Sequence, residues 1–466
     1  MTSILLIIAV KKPNKFSSYP KIPLGVSYIA SYLRKYNDSV QVDIIERSYE
    51  HDVSDLVRKY NPDIVGISSS TQNYNSACSI ASQVKAIDKE ILTVIGGHHI
   101  TALPQNLDRA IDVGVLGEGE ETFSEIVRAY EKNGPGKLPF NDIPGVVFWN
   151  EGKILATNKR NLIKPLDKIP FPARDIFTIG EEANILTSRG CPYKCTYCAA
   201  GSFWSTVRFH TPEYVVGEIK DVISKYKVKA ISIDDDLFIA DPKRVKEISR
   251  LIQEEGINKK VRFFCHCRAN LLNEEIAGHL KSMNVEKIGI GFETGSETVL
   301  NRIKKGSVSM QQNKNALKVA KKFGFTVHGY FMIGSPNETR EEMMETYEFI
   351  KDSPIDSFDL SVMIPFPATE IWDYAISRNL VAEDMNWDLL DMDFVENNKE
   401  YLILDDKVSK KDLNKLYFKI KNEINNKRKK RTCEKVFGKK LGPLVYPLTN
   451  IPGVYELGGS LLTKHG

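Results

Sequence analysis

Apolar positions in the first 130 residues fall into short β-branched runs separated by stretches of helical spacing. Residues 3–10, 41–45, 63–68, 92–95 and 113–116 read as strands. Between them, residues 24–36 carry Leu24, Tyr28, Ile29, Tyr32 and Leu33 on one helical face, and further helices are expected over 52–60, 75–87 and 121–132. Strict βα alternation predicts a doubly wound parallel sheet. Ligands of such sheets bind beyond the carboxyl ends of the strands. The loops of interest are therefore 11–23, 68–75, 96–104 and 117–120.

The pattern breaks over 136–180. This stretch is rich in Pro and Gly, with two short strands around 145–149 and 153–156, and it reads as a linker after a first domain over 1–135. Alternation resumes over 181–380, with strands at 184–187, 229–234, 261–267, 287–292, 326–333 and 359–364 and helices between them. Six consecutive βα units predict a barrel, complete or partial, with its chemistry at the carboxyl ends of the strands. Residues 381–466 lose the alternation and form a small, mainly helical accessory domain. Within it, 407–431 is a basic amphipathic helix with Leu413, Leu416, Tyr417, Ile420 and Ile424 on one face. The expected fold class is α/β in three parts.

A length of 466 residues fits about three domains. An apolar fraction of 42% and a charged fraction of 27% describe a globular chain. The net charge of +4 gives no reason to expect a nucleic-acid partner. Basic residues concentrate in 407–440, which hold 14 Lys and Arg against 3 Asp and Glu. This face is either solvated or a peripheral contact for an anionic lipid, partner or substrate. No run has the 18 or so uninterrupted apolar residues of a spanning helix. The apolar start lacks a basic n-region and reads as a buried strand, so the chain is expected to be cytoplasmic. Seven Cys in that compartment form no disulfide framework.

The spacing of three of these Cys carries the chemistry. Cys191, Cys195 and Cys198 form a C-x3-C-x2-C triplet just after the first barrel strand. Three thiolates in one loop can converge on a metal centre, one short of the usual four for zinc or an iron–sulfur cluster. An incomplete set leaves one metal open to a substrate or cofactor, unless a distant ligand such as Cys265 or His266 completes a zinc site. Cys265 and Cys267, two apart on a strand, face one side. They are either small buried thiols or part of a cavity lining.

With Tyr197 before its last Cys, the triplet resembles the signature of the radical SAM superfamily. The resemblance covers about residues 184–370. It implies that Cys191, Cys195 and Cys198 hold three irons of a 4Fe-4S cluster. The fourth iron would bind S-adenosylmethionine (SAM), and one electron would cleave it to a 5′-deoxyadenosyl radical. It also implies SAM contacts from Arg268, which can pair bidentately with a carboxylate, and from Glu293, which can accept from ribose hydroxyls. Ser296, Gly334 and the strand-end acidic run with Asp235 at its centre match other cofactor-handling positions.

Residues 1–130 resemble the cobalamin-binding domain of one radical SAM subgroup. The matching pieces are residues 23–33 with Gly25, residues 96–104 with Gly96, Gly97, His98 and Thr101, and 117–120 with Gly117 and Glu118. Ser69 and Thr71 offer hydroxyls to polar edges. The Asp-x-His-x-x-Gly motif that supplies a cobalt-ligating His elsewhere is absent. A cobalamin with no lower His ligand is therefore expected, with His98 and His99 meeting the corrin edge or phosphate. The implied activity is that of a cobalamin-dependent radical SAM enzyme, transferring a methyl group through methylcobalamin to an unactivated carbon. A cyclisation or rearrangement without methyl transfer stays open, as does a non-catalytic cobalamin-binding protein. The implied partners are a small-molecule, lipid or tetrapyrrole-like substrate and an electron donor such as flavodoxin or ferredoxin.

Overall fold

A computed structural model describes residues 1–10, 21–48, 52–136, 138–204, 206–390, 402–404 and 407–445. Most of the 11–23 loop and residues 446–466 lie outside the described residues.

The first sheet has seven strands: β1 (Thr2–Val10), β2 (Val40–Ser48), β3 (Ile64–Ser68), β4 (Leu92–Gly96), β5 (Val113–Val115), β6 (Val146–Asn150) and β7 (Lys153–Ala156). Their order is β2-β1-β3-β4-β5-β6-β7. The first five are parallel; β1, β3, β4 and β5 are buried on both faces, as their near-continuous apolar runs require, while β2 is the edge strand and buries only alternate residues, Val42 and Ile44. The order reverses beside β1, which opens a crevice at the carboxyl edge. β6 and β7 pair antiparallel onto β5. The sheet therefore runs to Ala156, past the expected boundary at 135. The two short strands expected in the Pro- and Gly-rich stretch form a hairpin that extends this sheet.

The second sheet follows as β8 (Glu182–Ile185), β11 (Ala230–Ile233), β12 (Arg262–Cys267), β13 (Val285–Glu293), β14 (Thr326–Ile333) and β15 (Ser357–Val362). All six are parallel and neighbours in chain order, which makes an open barrel. Helix starts are set by side-chain caps. Thr211 and Asp241 cap helices that begin with Pro212 and Pro242, while Ser309 with Gln312 and Thr339 with Glu342 form capping boxes. Between β8 and β11, two short strands, β9 (Ser188–Arg189) and β10 (Arg208–Phe209), pair antiparallel. They close the base of the loop that holds the cysteine triplet.

A helix spans Lys410–Val445. Leu413, Leu416, Tyr417, Ile420 and Ile424 are buried, and the helix packs on the Arg340–Asp352 helix and β15. These five apolar side chains are thus taken up by the barrel. No helix among the described residues is long and apolar enough to cross a membrane.

Candidate active site between the two sheets

The carboxyl ends of β1, β3, β4 and β5 face the start of the barrel across a cavity of about 540 Å³, within the roughly 300–1,000 Å³ of ordinary ligand sites. Its floor includes Gly25, Ser68, Ser69, Gly96, Gly97, His98, Gly117 and Glu118, and its barrel side is Leu186, Ser188, Arg189, Trp204, Asp234 and Asp236. The glycines shape this floor. A Cβ on Gly25 or Gly117 would meet nothing within 4 Å, so their missing side chains leave open space. Gly97 has φ +113° and ψ −171°, a conformation open essentially to glycine alone. A Cβ there would stand 2.2 Å from the Ser69 carbonyl oxygen.

Not every residue matched to cobalamin reaches this cavity. Thr101 accepts from the Gly117 backbone N–H at 3.0 Å and donates to the Gly97 carbonyl at 2.8 Å, so it ties two floor loops together from behind. Thr71 is buried at the start of a short 3-10 turn, while Ser70 and Asn73 line the cavity in its place. His98 lines the cavity; His99 points the other way. The His99 ring stacks on Tyr74 with centroids 3.8 Å apart, meets the edge of Trp387, and burial pushes its pKa down to about 3. His99 is therefore a core residue and not the corrin contact expected of it, because its ring is buried against Tyr74 and Trp387.

The three cysteines follow β9 directly, and all three are free thiols. Backbone bonds at Thr196 anchor the loop, its N–H donating to the Ile303 carbonyl at 2.9 Å and its carbonyl accepting from Ile371 N–H at 3.1 Å. Burial pushes the Cys191 thiol up and the Cys198 thiol to about 11. Thiols in this setting stay protonated in water and are deprotonated when a metal binds, the displaced protons passing to solvent. Arg268, at the end of β12, donates to Cys195 Sγ at 3.4 Å and to Ser307 Oγ at 2.6 Å, and stacks over Tyr193 at 3.7 Å. A fixed guanidinium beside the middle thiol suits an anionic group arriving at the cluster. No three His, Cys, Asp or Glu side chains among the described residues form a mononuclear metal set. Cys265 and Cys267 lie with Sγ atoms 4.0 Å apart and are buried. Phe264 and His266, on the opposite face of β12, approach Lys21 and Tyr330.

Glu293 ends β13 at φ +67°, next to a register shift at Gly291. Lys304 holds it there, at 2.9 Å from Oε1 and 2.8 Å from the Gly291 carbonyl. Burial, then the Glu293 carboxylate, pushes the Tyr197 phenol well above its usual pKa. Tyr197, Glu293 and the cysteine loop are thus brought together. Ser296 and Gly334 are not. Ser296 precedes the Glu297–Lys304 helix and borders a surface groove with Lys314 and Phe349. Gly334 lies under Leu413 of the C-terminal helix.

The acidic run divides by the alternation of an extended chain. Asp234 pairs with Lys21 at 2.8 Å, and both Asp234 and Asp236 line the cavity. Asp235 points into the fold. Its oxygens accept from Thr187 N–H and Oγ1, both at 2.5 Å, and from Ser188 Oγ at 2.6 Å. The expected cofactor contact at Asp235 is corrected: both oxygens are occupied in holding β9, and Asp236 takes the exposed position. Asp235→Asn is expected to cost about 2–3 kcal/mol, since one buried donor is left without an acceptor. A lowered urea midpoint of the apo-protein would show it.

Sequence reasoning also missed the ion pairs beneath the cavity. Glu118 and Glu120 are buried against Arg189 at 2.6 and 2.5 Å, and Glu118 also meets Arg208 at 2.7 Å. The signal was present as two acids in 117–120 and an Arg just before Gly190 and Cys191.

Against this geometry, residues 185–350 match the profile of the radical SAM superfamily and residues 17–127 that of the B12 binding domain. An uncharacterised methyltransferase of Pyrococcus horikoshii is 35% identical over 377 residues, 78% of this chain and 80% of its own. The chain belongs to the cobalamin-dependent radical SAM family. The family's cofactors are a 4Fe-4S cluster, SAM and cobalamin, and its members are enzymes. The anaerobic magnesium-protoporphyrin IX monomethyl ester cyclase of Rubrivivax gelatinosus is 28% identical, over 75% of this chain and 65% of its own. Among solved structures, the apo form of the cobalamin-dependent SAM radical enzyme OxsB has a TM-score of 0.71 at 16% identity, covering 97% of this chain and 74% of its own. That likeness concerns the fold.

Proposed function

We propose that this radical SAM enzyme transfers a methyl group to carbon, on a small-molecule substrate admitted between the two sheets. The supporting observation is the single cavity with a glycine floor on one side and the flank of the cysteine loop on the other. Cobalamin would rest on Gly25, Gly96, Gly97 and Gly117, with His98 at its rim. The cluster would be held by Cys191, Cys195 and Cys198. When bound, these groups supply one-electron cleavage of SAM and a corrin-borne methyl group.

The chain's own residues supply placement and shielding. Arg268 presents a cation next to Cys195 where a SAM carboxylate would lie. Glu293, fixed by Lys304, offers the acceptor for ribose hydroxyls. Trp204 and Leu186 shield the chamber from water on the barrel side. Asp236 faces the cavity and has no salt-bridge partner among the described residues. Burial pushes its carboxyl up, and the Gly190 backbone N–H and nearby His98 offset that shift. It can accept a hydrogen bond from substrate.

Relatives named methyltransferases support the methyl-transfer reading. The relative named a cyclase favours a second reading, in which the same cofactors drive ring formation without net methylation. Methyl-deuterated SAM separates them. Product gaining three mass units of deuterium is expected; turnover with no label in product would leave the cyclisation reading. The substrate class, including a lipid or tetrapyrrole, the flavodoxin or ferredoxin donor and a cytoplasmic setting belong to this proposal. Any contact with an anionic membrane surface would rest on the basic face of the C-terminal helix alone.

A further inference from the structure

The loop 117–120 has two tasks. Its backbone and Glu118 line the floor of the cavity. The Glu118 carboxylate also reaches across to the barrel. Oε1 accepts from Arg189 Nη1 at 2.6 Å and from Arg208 Nη2 at 3.1 Å; Oε2 accepts from Arg208 Nη1 at 2.7 Å and from the Ile163 N–H at 2.8 Å. Arg189 and Arg208 are register partners in the β9–β10 pair. One stands two residues before Cys191, the other ten after Cys198. A single carboxylate on the cobalamin side therefore grips both ends of the cysteine loop. Glu120 adds a second contact to Arg189. The grip is dry, with Glu118 7% and Arg208 6% exposed, so neither salt nor water screens it as at a surface.

We propose that Glu118 is a positioning residue that fixes the cluster loop relative to the corrin floor, so that the spacing of the two cofactors depends on its charge. The inference rests on the two-cofactor reading of the family and goes beyond it, because it concerns neither a ligand of the cluster nor a contact of SAM. Removing the charge should leave each cofactor its own ligands while loosening the registry between them. A displacement of about 1 Å is enough to cost on the order of 10²-fold in a step that needs aligned reactants.

The test uses Glu118→Gln in the reconstituted holoenzyme, with Glu125→Gln as control. Glu125 sits on the same helix and pairs with Arg160, away from the cysteine loop. Electron paramagnetic resonance of protein-bound cob(II)alamin reads its spin relaxation with the iron–sulfur cluster oxidised and reduced. The reduced cluster should speed that relaxation in the wild-type chain and in Glu125→Gln. In Glu118→Gln the enhancement should fall below that of the wild type and of Glu125→Gln at unchanged iron and cobalamin content. An unchanged enhancement overturns the proposal. Loss of either cofactor from Glu118→Gln overturns it too, since the residue would then serve binding or folding alone. If Glu118→Gln is insoluble, Arg189→Gln, which removes the cation that both acids grip, is read by the same outcomes. Absence of any enhancement in the wild type would sink the two-cofactor reading and this assignment with it.

Discussion

Cys195→Ala is expected to abolish formation of 5′-deoxyadenosine from SAM while leaving cobalamin bound. Cys195 is the middle cysteine of the triplet and the one that Arg268 touches. Its neighbour Thr196 is pinned at both N–H and carbonyl, so the loop backbone stays in place when the sulfur is removed. Cys265 and Cys267 are buried on their strand and face each other. With two thiolates the loop cannot hold three irons, and the site for SAM is lost with the cluster. The cavity floor contains none of these atoms, so corrin absorbance in the purified variant should match the wild type. Chromatography of quenched reactions under dithionite reads the first outcome and visible absorbance the second. Deoxyadenosine at wild-type levels would overturn the cluster assignment.

Gly97→Ala is expected to produce the largest loss of cobalamin affinity of any single methyl addition to the floor. Two costs combine there. The backbone is held near φ +113°, which penalises an L side chain by roughly 1–3 kcal/mol. The new methyl would also stand 2.2 Å from the Ser69 carbonyl oxygen, which is backbone and part of the floor itself. Relief requires moving the 68–70 or 97–101 segment, and either shift carries His98 or Ser69 out of place. A total of about 3 kcal/mol corresponds to more than 100-fold in affinity. Gly117→Ala, with φ +78° and nothing within 4 Å, bears the backbone cost and the intrusion of a methyl into the cavity but no clash with the protein, and Gly25→Ala only the intrusion. Equilibrium titration with hydroxocobalamin should therefore rank Gly97→Ala weakest. Iron content should be retained in all three. Equal affinities across the series would show that the corrin does not rest on this floor.

Periodicity placed most strands because parallel strands buried on both faces must be apolar runs. β7 and β14 match their expected bounds, and β1, β3 and β4 differ by one residue at one end. The cysteine triplet and the glycine turns were legible because their chemistry is local in sequence. What stayed hidden depends on pairing over long distances. β6 is legible as a strand, but it extends the first sheet only because it meets β5, some thirty residues earlier, and the Pro- and Gly-rich stretch around it resembles a linker. Glu118 meets Arg189 and Arg208 across 71 and 90 residues, and no periodicity encodes such a contact. The acidic run was assigned to its central member. Strand alternation instead sends Asp234 and Asp236 toward the cavity and Asp235 into the core. The C-terminal helix was read correctly as amphipathic, but its apolar face turned out to be packed on the barrel.

The most direct test is to purify and reconstitute the chain without oxygen, supply cobalamin, and incubate it with SAM and a strong reductant. The account predicts the broad absorption of a 4Fe-4S cluster that is lost on reduction, a bound corrin spectrum, and accumulation of 5′-deoxyadenosine that requires both reductant and the three cysteines. A protein that binds cobalamin but shows no iron–sulfur absorption and returns SAM intact would contradict it.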